Sequence, residues 1–236
     1  PAAAALIAIG NTLAPSLAGL VLVRSYAFRP QFDRVSDAFA YLGVGVFGTG
    51  MLTATLGALW LCAFGEASWA DYPVVWLTWF GGEVVGLLIV GPLLLTWLSP
   101  PNSLVSRPAT HIEKAAMVVS VTGLSAMVLA YGQELVSLHY VFAVLFVWVL
   151  FRAGLLGASL ALAAAALVLV AGTALGVGPF VVRSEGMLSL WMSLVVGGSA
   201  IVTAGGLLAE RDHALHQQRR LLGELDDALH QQRRLL

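Results

Sequence analysis

The sequence predicts an all-α membrane protein: a polytopic bundle of about seven transmembrane helices followed by a cytoplasmic coiled-coil helix. Three observations carry that expectation. Of its 236 residues 59% are hydrophobic and only 11% charged, with a mean hydropathy of +0.88. A soluble domain runs near a quarter charged, so this chain lacks the polar coat that water demands. Apolar runs of roughly 18 or more residues recur along most of its length, as bilayer-spanning helices require. After Ala209 the composition turns polar while a leucine repeat of period seven begins.

Seven apolar segments follow in order: residues 2–23, 38–64, 74–98, 115–132, 138–151, 155–175 and 188–209. The fifth is short for a span; His139 and Tyr140 could extend it into the headgroup zone, or it re-enters. Charge sets the orientation. Connectors bearing Arg24, Arg29 and Arg34, then Arg107 and Lys114, then Arg152, alternate with connectors bearing Glu66 and Asp71, then Glu134. Lys and Arg stay in the cytoplasm. Among the basic residues only Arg183 falls on the other face, beside Glu185, so the N-terminus lies outside and the C-terminus inside. Trp69, Tyr72 and Trp97 sit where aromatic belts form. Because it starts at Pro1 rather than Met, already within an apolar run, the chain reads as a piece of something longer.

The tail, residues 210–236, forms a second unit beside the membrane domain of residues 1–209. It lacks proline and is built of good helix formers. Leu208, Leu215, Leu222, Leu229 and Leu236 repeat at sevens, as do Leu207, Ala214, Leu221, Ala228 and Leu235. Such a repeat asks for a partner helix; the stripe headed by Leu208 is the expected seam, and a parallel homodimer the expected form. DHALHQQRRLL returns 14 residues later as DDALHQQRRLL, a shift of two heptads that keeps the register. Arg211, Gln218 and Gln232 interrupt the seam, so the coil should be weak alone.

The net charge of −1 gives no pull toward nucleic acid. Cys62 is the sole cysteine, which excludes an internal disulfide and any cysteine-based metal centre. No catalytic constellation, phosphate loop or metal cluster is legible, so no catalytic residue, cofactor or metal is expected. His213 and His216 have the spacing of helical ligands but lack a third; a solvated coil face accounts for them.

The segment WLTWFGGEVVGLLIVGPLLLTW, residues 76–97, poses the central question, because it carries a carboxylic acid in mid-span. A charged group there costs roughly 2.5 to 3.5 kcal/mol on insertion scales, so Glu83 should face the bundle interior or a wet cavity. Trp76, Trp79 and Glu83 share one helix face. One reading is a pocket with two aromatic walls and a polar floor that binds a small ligand or senses protons. The other is interface anchoring by tryptophan and an interhelical hydrogen bond from Glu83, to Asn11, Thr12 or an indole. Gly81, Gly82 and Gly86 permit close helix approach, and Pro92 frees a backbone carbonyl and kinks the span. Arg152 ends a span where snorkelling is ordinary.

The same segment resembles the signature of the MASE1 family of bacterial membrane sensor domains, with Trp76, Trp79, Gly82, Glu83, Gly86 and Pro92 matching it. The acid is more often Asp in that family. IAIGNTL, with Asn11 and Thr12, FRPQFDRVSD, with Arg29, Pro30 and Arg34, and WVLFRAG, with Trp148, Arg152 and Gly154, are similar to further blocks. So are GTALGVGPF, with Gly172, Gly178 and Pro179, and LLAERD at the exit. The chain departs from the pattern in lacking a preceding Trp–Pro–x–x–Gly block and an acid near Ala14. The resemblance implies the N-terminal input domain of a histidine kinase or diguanylate cyclase in the bacterial inner membrane, with no output domain in this segment. Its expected partners are the lipid bilayer, a second copy, and a small hydrophobic ligand or partner membrane protein. A proton-coupled transporter or channel, and a passive anchor that only dimerises an enzyme, are the competing readings; no inverted repeat of broken helices favours transport.

Overall fold

The computed structural model describes residues 2–99, 109–131, 138–182 and 186–235. Arg107, Glu134, Arg183, Glu185 and Leu236, and the side chains of His139, Tyr140 and Leu229, lie outside the described positions. All described regular structure is helical. The helices are α1 (Ala2–Tyr26), α2 (Val35–Ala63), α3 (Tyr72–Leu98), α4 (His111–Tyr131), α5 (Leu138–Ala174), α6 (Pro179–Val182) and α7 (Gly186–Leu235). Six of them, all but α6, are long and apolar enough to cross a membrane. The chain is a polytopic helical bundle.

α3 and α7 stand at its centre. α3 packs on α2, α5 and α7, while α7 also packs on α2, α5 and α6; α1 lies against α2, and α4 against α5. The core joins Val46, Val84, Leu88, Val121, Leu162, Leu190 and Val202. In lipid the hydrophobic effect no longer holds helices together, so close packing and hydrogen bonds must. Three buried hydroxyls turn onto their own helix: Thr53 Oγ1 donates to Thr49 O (3.0 Å), Thr96 Oγ1 to Pro92 O (2.6 Å) and Ser125 Oγ to Val121 O (2.8 Å). α1 buries little besides Ala3, Gly10, Ala14 and Leu22 and presents Leu13, Leu17 and Leu20 outward, as a lipid-facing helix does.

Two departures from regular helix shape the bundle. Within α2, residues Tyr41–Gly48 form a π-helical turn, and the Thr49 N–H reaches back five residues to Val44 O. Within α5, Gly154 adopts φ 70° and ψ −172°, a conformation open essentially to glycine alone. Phe142 and Leu169, on either side of that break, line one cavity. A straight helix would hold them about 40 Å apart at 1.5 Å per residue, so the two arms double back on each other.

The expected fifth and sixth segments are thus the two arms of α5, separated at Gly154; taken as one run, they bring the span-length helices among the described residues to six. The first arm, residues 138–153, measures about 24 Å. That is less than the roughly 30 Å of a hydrocarbon core.

Candidate functional site

The aromatic face of α3 docks on α2. Trp76 stacks on Phe80 (5.0 Å between centroids, 11° between planes), and its Nε1 donates to Thr55 Oγ1 at 3.0 Å; Thr55 Oγ1 in turn donates to Met51 O at 2.6 Å. Trp79 lies over Gly57, whose missing side chain leaves the indole 2.7 Å from an ideal Cβ position. Glu83 is half-buried one turn further along and has no hydrogen-bond partner among the described residues. On the neighbouring face, Trp191 of α7 fills the space over Gly81. The span carrying the tryptophans and the acid therefore touches the last helix directly.

Other expected residues fall elsewhere. Asn11 and Thr12 are exposed on α1, and Thr12 Oγ1 donates to its own helix at Ala8 O (2.8 Å) rather than to Glu83. Gly82 and Gly86 have open space where a side chain would stand; the close approaches on α3 belong instead to Gly81 and Gly91. The reason is helical phase, since Gly81, Val84 and Leu88 point inward while Gly82 is exposed. α3 runs unbroken through Pro92, which is buried. Pro179 opens the short α6, where a missing N–H costs nothing.

Arg152 is held rather than snorkelled. Its Nε and Nη2 donate to Glu113 Oε1 and Oε2, both at 2.8 Å, in the bidentate geometry that suits a guanidinium. Glu113 also accepts from the Thr110 N–H (2.7 Å), while the Glu113 N–H donates to Thr110 Oγ1 (3.2 Å). This reciprocal cap starts α4, and Thr–x–x–Glu is its legible signature in the sequence.

Several important groups carried no such signal. The Tyr41 hydroxyl donates to Leu87 O at 2.7 Å and fills the space over Gly91. It does so next to Leu88 O, the carbonyl that Pro92 leaves without a helical donor. Tyr41 itself is wedged by Phe32 (5.3 Å, 89°) and Phe28 (6.2 Å, 21°).

Where α7 leaves the bundle, it is gripped on two sides. An ideal Cβ on Gly206 would lie 3.0 Å from Arg34 O and 3.3 Å from Val35 Cα, and one on Gly205 2.8 Å from Leu155 Cδ1. Beyond them Glu210 Oε2 accepts the Val35 N–H at 3.1 Å. Buried Asp37 closes the same turn, accepting from the Arg34 N–H (3.1 Å) and the Arg29 N–H (3.3 Å). FRPQFDRVSD and LLAERD, far apart in the chain, thus meet at the exit.

A cavity of about 440 Å³ opens between α4, both arms of α5, α6 and α7; Phe142, Phe146, Leu169, Phe180, Leu190 and Ser193 are among its walls. None of Asn11, Thr12, Trp76, Trp79 and Glu83 lines it. No group of three or more His, Cys, Asp or Glu that could hold a metal occurs among the described residues. Beyond Gly206 the seam residues change surroundings. Leu208 packs against the bundle core, whereas Leu215 and Leu222 are exposed.

In comparison with known families, the MASE1 family model matches residues 1–209. No curated protein and no solved structure matches the chain.

Proposed function

Because the chain belongs to the MASE1 family and is accordingly a multi-pass membrane sensor domain, we propose that it passes a stimulus along α7 to a cytoplasmic output domain. The output would be a histidine kinase or a diguanylate cyclase, held as a homodimer beneath a bacterial inner membrane, with the tail cytoplasmic. The observation that carries this reading is α7 itself. It is one helix from Gly186 to Leu235, 50 residues long, that begins inside the bundle and ends far beyond it. A helix of that length is about 75 Å from end to end.

The input would act on the α3 face. A half-buried carboxyl with no hydrogen-bond partner among the described residues is available to a proton, a small ligand or a partner membrane protein, and Gly81 places Trp191 of α7 against the same span. A stimulus that favours one packing of α3 over another would then shift α7, provided it binds the two packings unequally. The grip at Gly205, Gly206 and Glu210 lets the bundle control the rod at the membrane surface.

Gly81→Ala tests the route in the full-length protein, since a methyl group there must displace the Trp191 ring. The expected result is an altered output activity with unchanged membrane insertion. Unchanged stimulus-dependent output would remove the route. Regulation that survives replacement of the whole bundle by an inert dimeric anchor would reduce the domain to a scaffold.

A further inference from the structure

The sequence offers two heptad stripes one residue apart, and the expected seam is the one headed by Leu208. The packing of the bundle favours the other. On α7 the positions turned inward are Leu190, Leu194, Gly198, Ile201, Val202, Gly205 and Gly206. At about 100° per residue they occupy one arc, and Leu207 stands roughly opposite its centre. Leu207 is 54% exposed, while Leu208 packs against the core of its own protomer. The head of the Leu208 stripe is therefore already used within the chain.

We infer that a second copy of this chain docks on the outward face of α7, along a seam built from Leu207, Ala214 and Leu221 alternating with Arg211, Gln218 and Leu225. The inference rests on the dimeric signalling role proposed above. What identifies the partner is the repeat itself. Apolar residues at sevens, on a helix that outruns its bundle, match an identical parallel helix better than any irregular surface. Leu221 and Leu225 are each 58% exposed, left largely uncovered by the described residues of their own protomer. Leu225 lies five full turns below Leu207, on the same azimuth.

The face also continues upward into the bilayer. There it carries Val196, Ala200 and Thr203, of which Val196 and Ala200 are exposed, and two small side chains allow a second α7 to come close. Arg211 and Gln218 are polar at core positions, which fixes register at a cost in stability. The contact is thereby weak enough to be reset by movement of the bundle.

Cysteine crosslinking of the full chain in native membranes tests the seam. Cys62, the sole native thiol, is buried and is removed as Cys62→Ser. Single cysteines then replace Leu207, Ala214 and Leu221 in one series, and Leu208, Leu215 and Leu222 in the other. The first series should give severalfold more disulfide-linked dimer than the second. The reverse ranking would overturn this seam and leave the dimer intact. Absence of crosslinks in both series, with a single-subunit mass in native nanodiscs, would overturn the seam and the dimeric reading together.

Discussion

Tyr41 shows how one side chain can join two spans. Its hydroxyl supplies a donor to Leu87 O, and Gly91 is the only residue type that leaves it room. Tyr41→Phe removes one interhelical hydrogen bond, which averages about 0.6 kcal/mol in membrane proteins. Gly91→Ala must also expel the ring from its contacts with Phe28 and Phe32, an overpacking cost of about 1–3 kcal/mol. Gly91→Ala should therefore be the more damaging of the two when unfolding is followed in bicelles; equal losses would mean that the ring is not wedged. At Glu83 the expectation concerns signalling instead. Glu83→Gln keeps the shape and removes the titratable group, so the pH response of the full-length protein's output should flatten. A normal pH response in that variant would leave Glu83 with a packing role alone.

At the scale of elements, two joints decide how the helices are arranged. Gly154 lets α5 fold back, and Gly154→Ala would put a side chain in a backbone region costing about 1–3 kcal/mol. The loss should appear as a lowered unfolding midpoint; an unchanged midpoint would mean that the turn relaxes into ordinary helix. Arg152, two residues earlier, ties the foot of the first arm to the start of α4 through Glu113. The pair lies near the surface, where solvent screens an ion pair and leaves it little net stabilisation, so Arg152→Ala should cost less than Gly154→Ala. The second joint is the exit of α7. Gly206→Leu cannot keep the contact with Arg34 O and Val35, so it should push α7 outward and lock the output in one state. Output that still responds fully would show that the grip is not transmitted.

For the whole molecule, the bundle and the tail should be separable. Beyond Glu210 the described side chains are mostly exposed, and none belongs to the bundle core. Truncation after Glu210 should thus leave the bundle's thermal stability nearly unchanged while lowering the dimer fraction measured by native mass spectrometry. A collapse of the bundle would show that the tail helps to fold it.

The sequence alone determined that the chain is an all-α membrane bundle, where most spans lie, that a heptad helix follows them, and which family it belongs to. Those features are written in composition, run length and local motifs, each of which acts within a few residues along the chain. Glu83, Trp76 and Trp79 were legible for the same reason, since a carboxyl or an indole in an apolar run stands out by type. Only the tertiary structure decided that Asn11 and Thr12 face outward, that Gly81 rather than Gly82 admits a neighbouring helix, and that Trp191 meets the α3 face. It alone brought Glu210 to the start of α2 and set Leu208 inward and Leu207 outward. Such choices depend on helical phase and on which helices become neighbours. In a chain that is apolar on nearly every face, the hydrophobic pattern no longer marks the inside, and close packing between particular side chains has to make the choice.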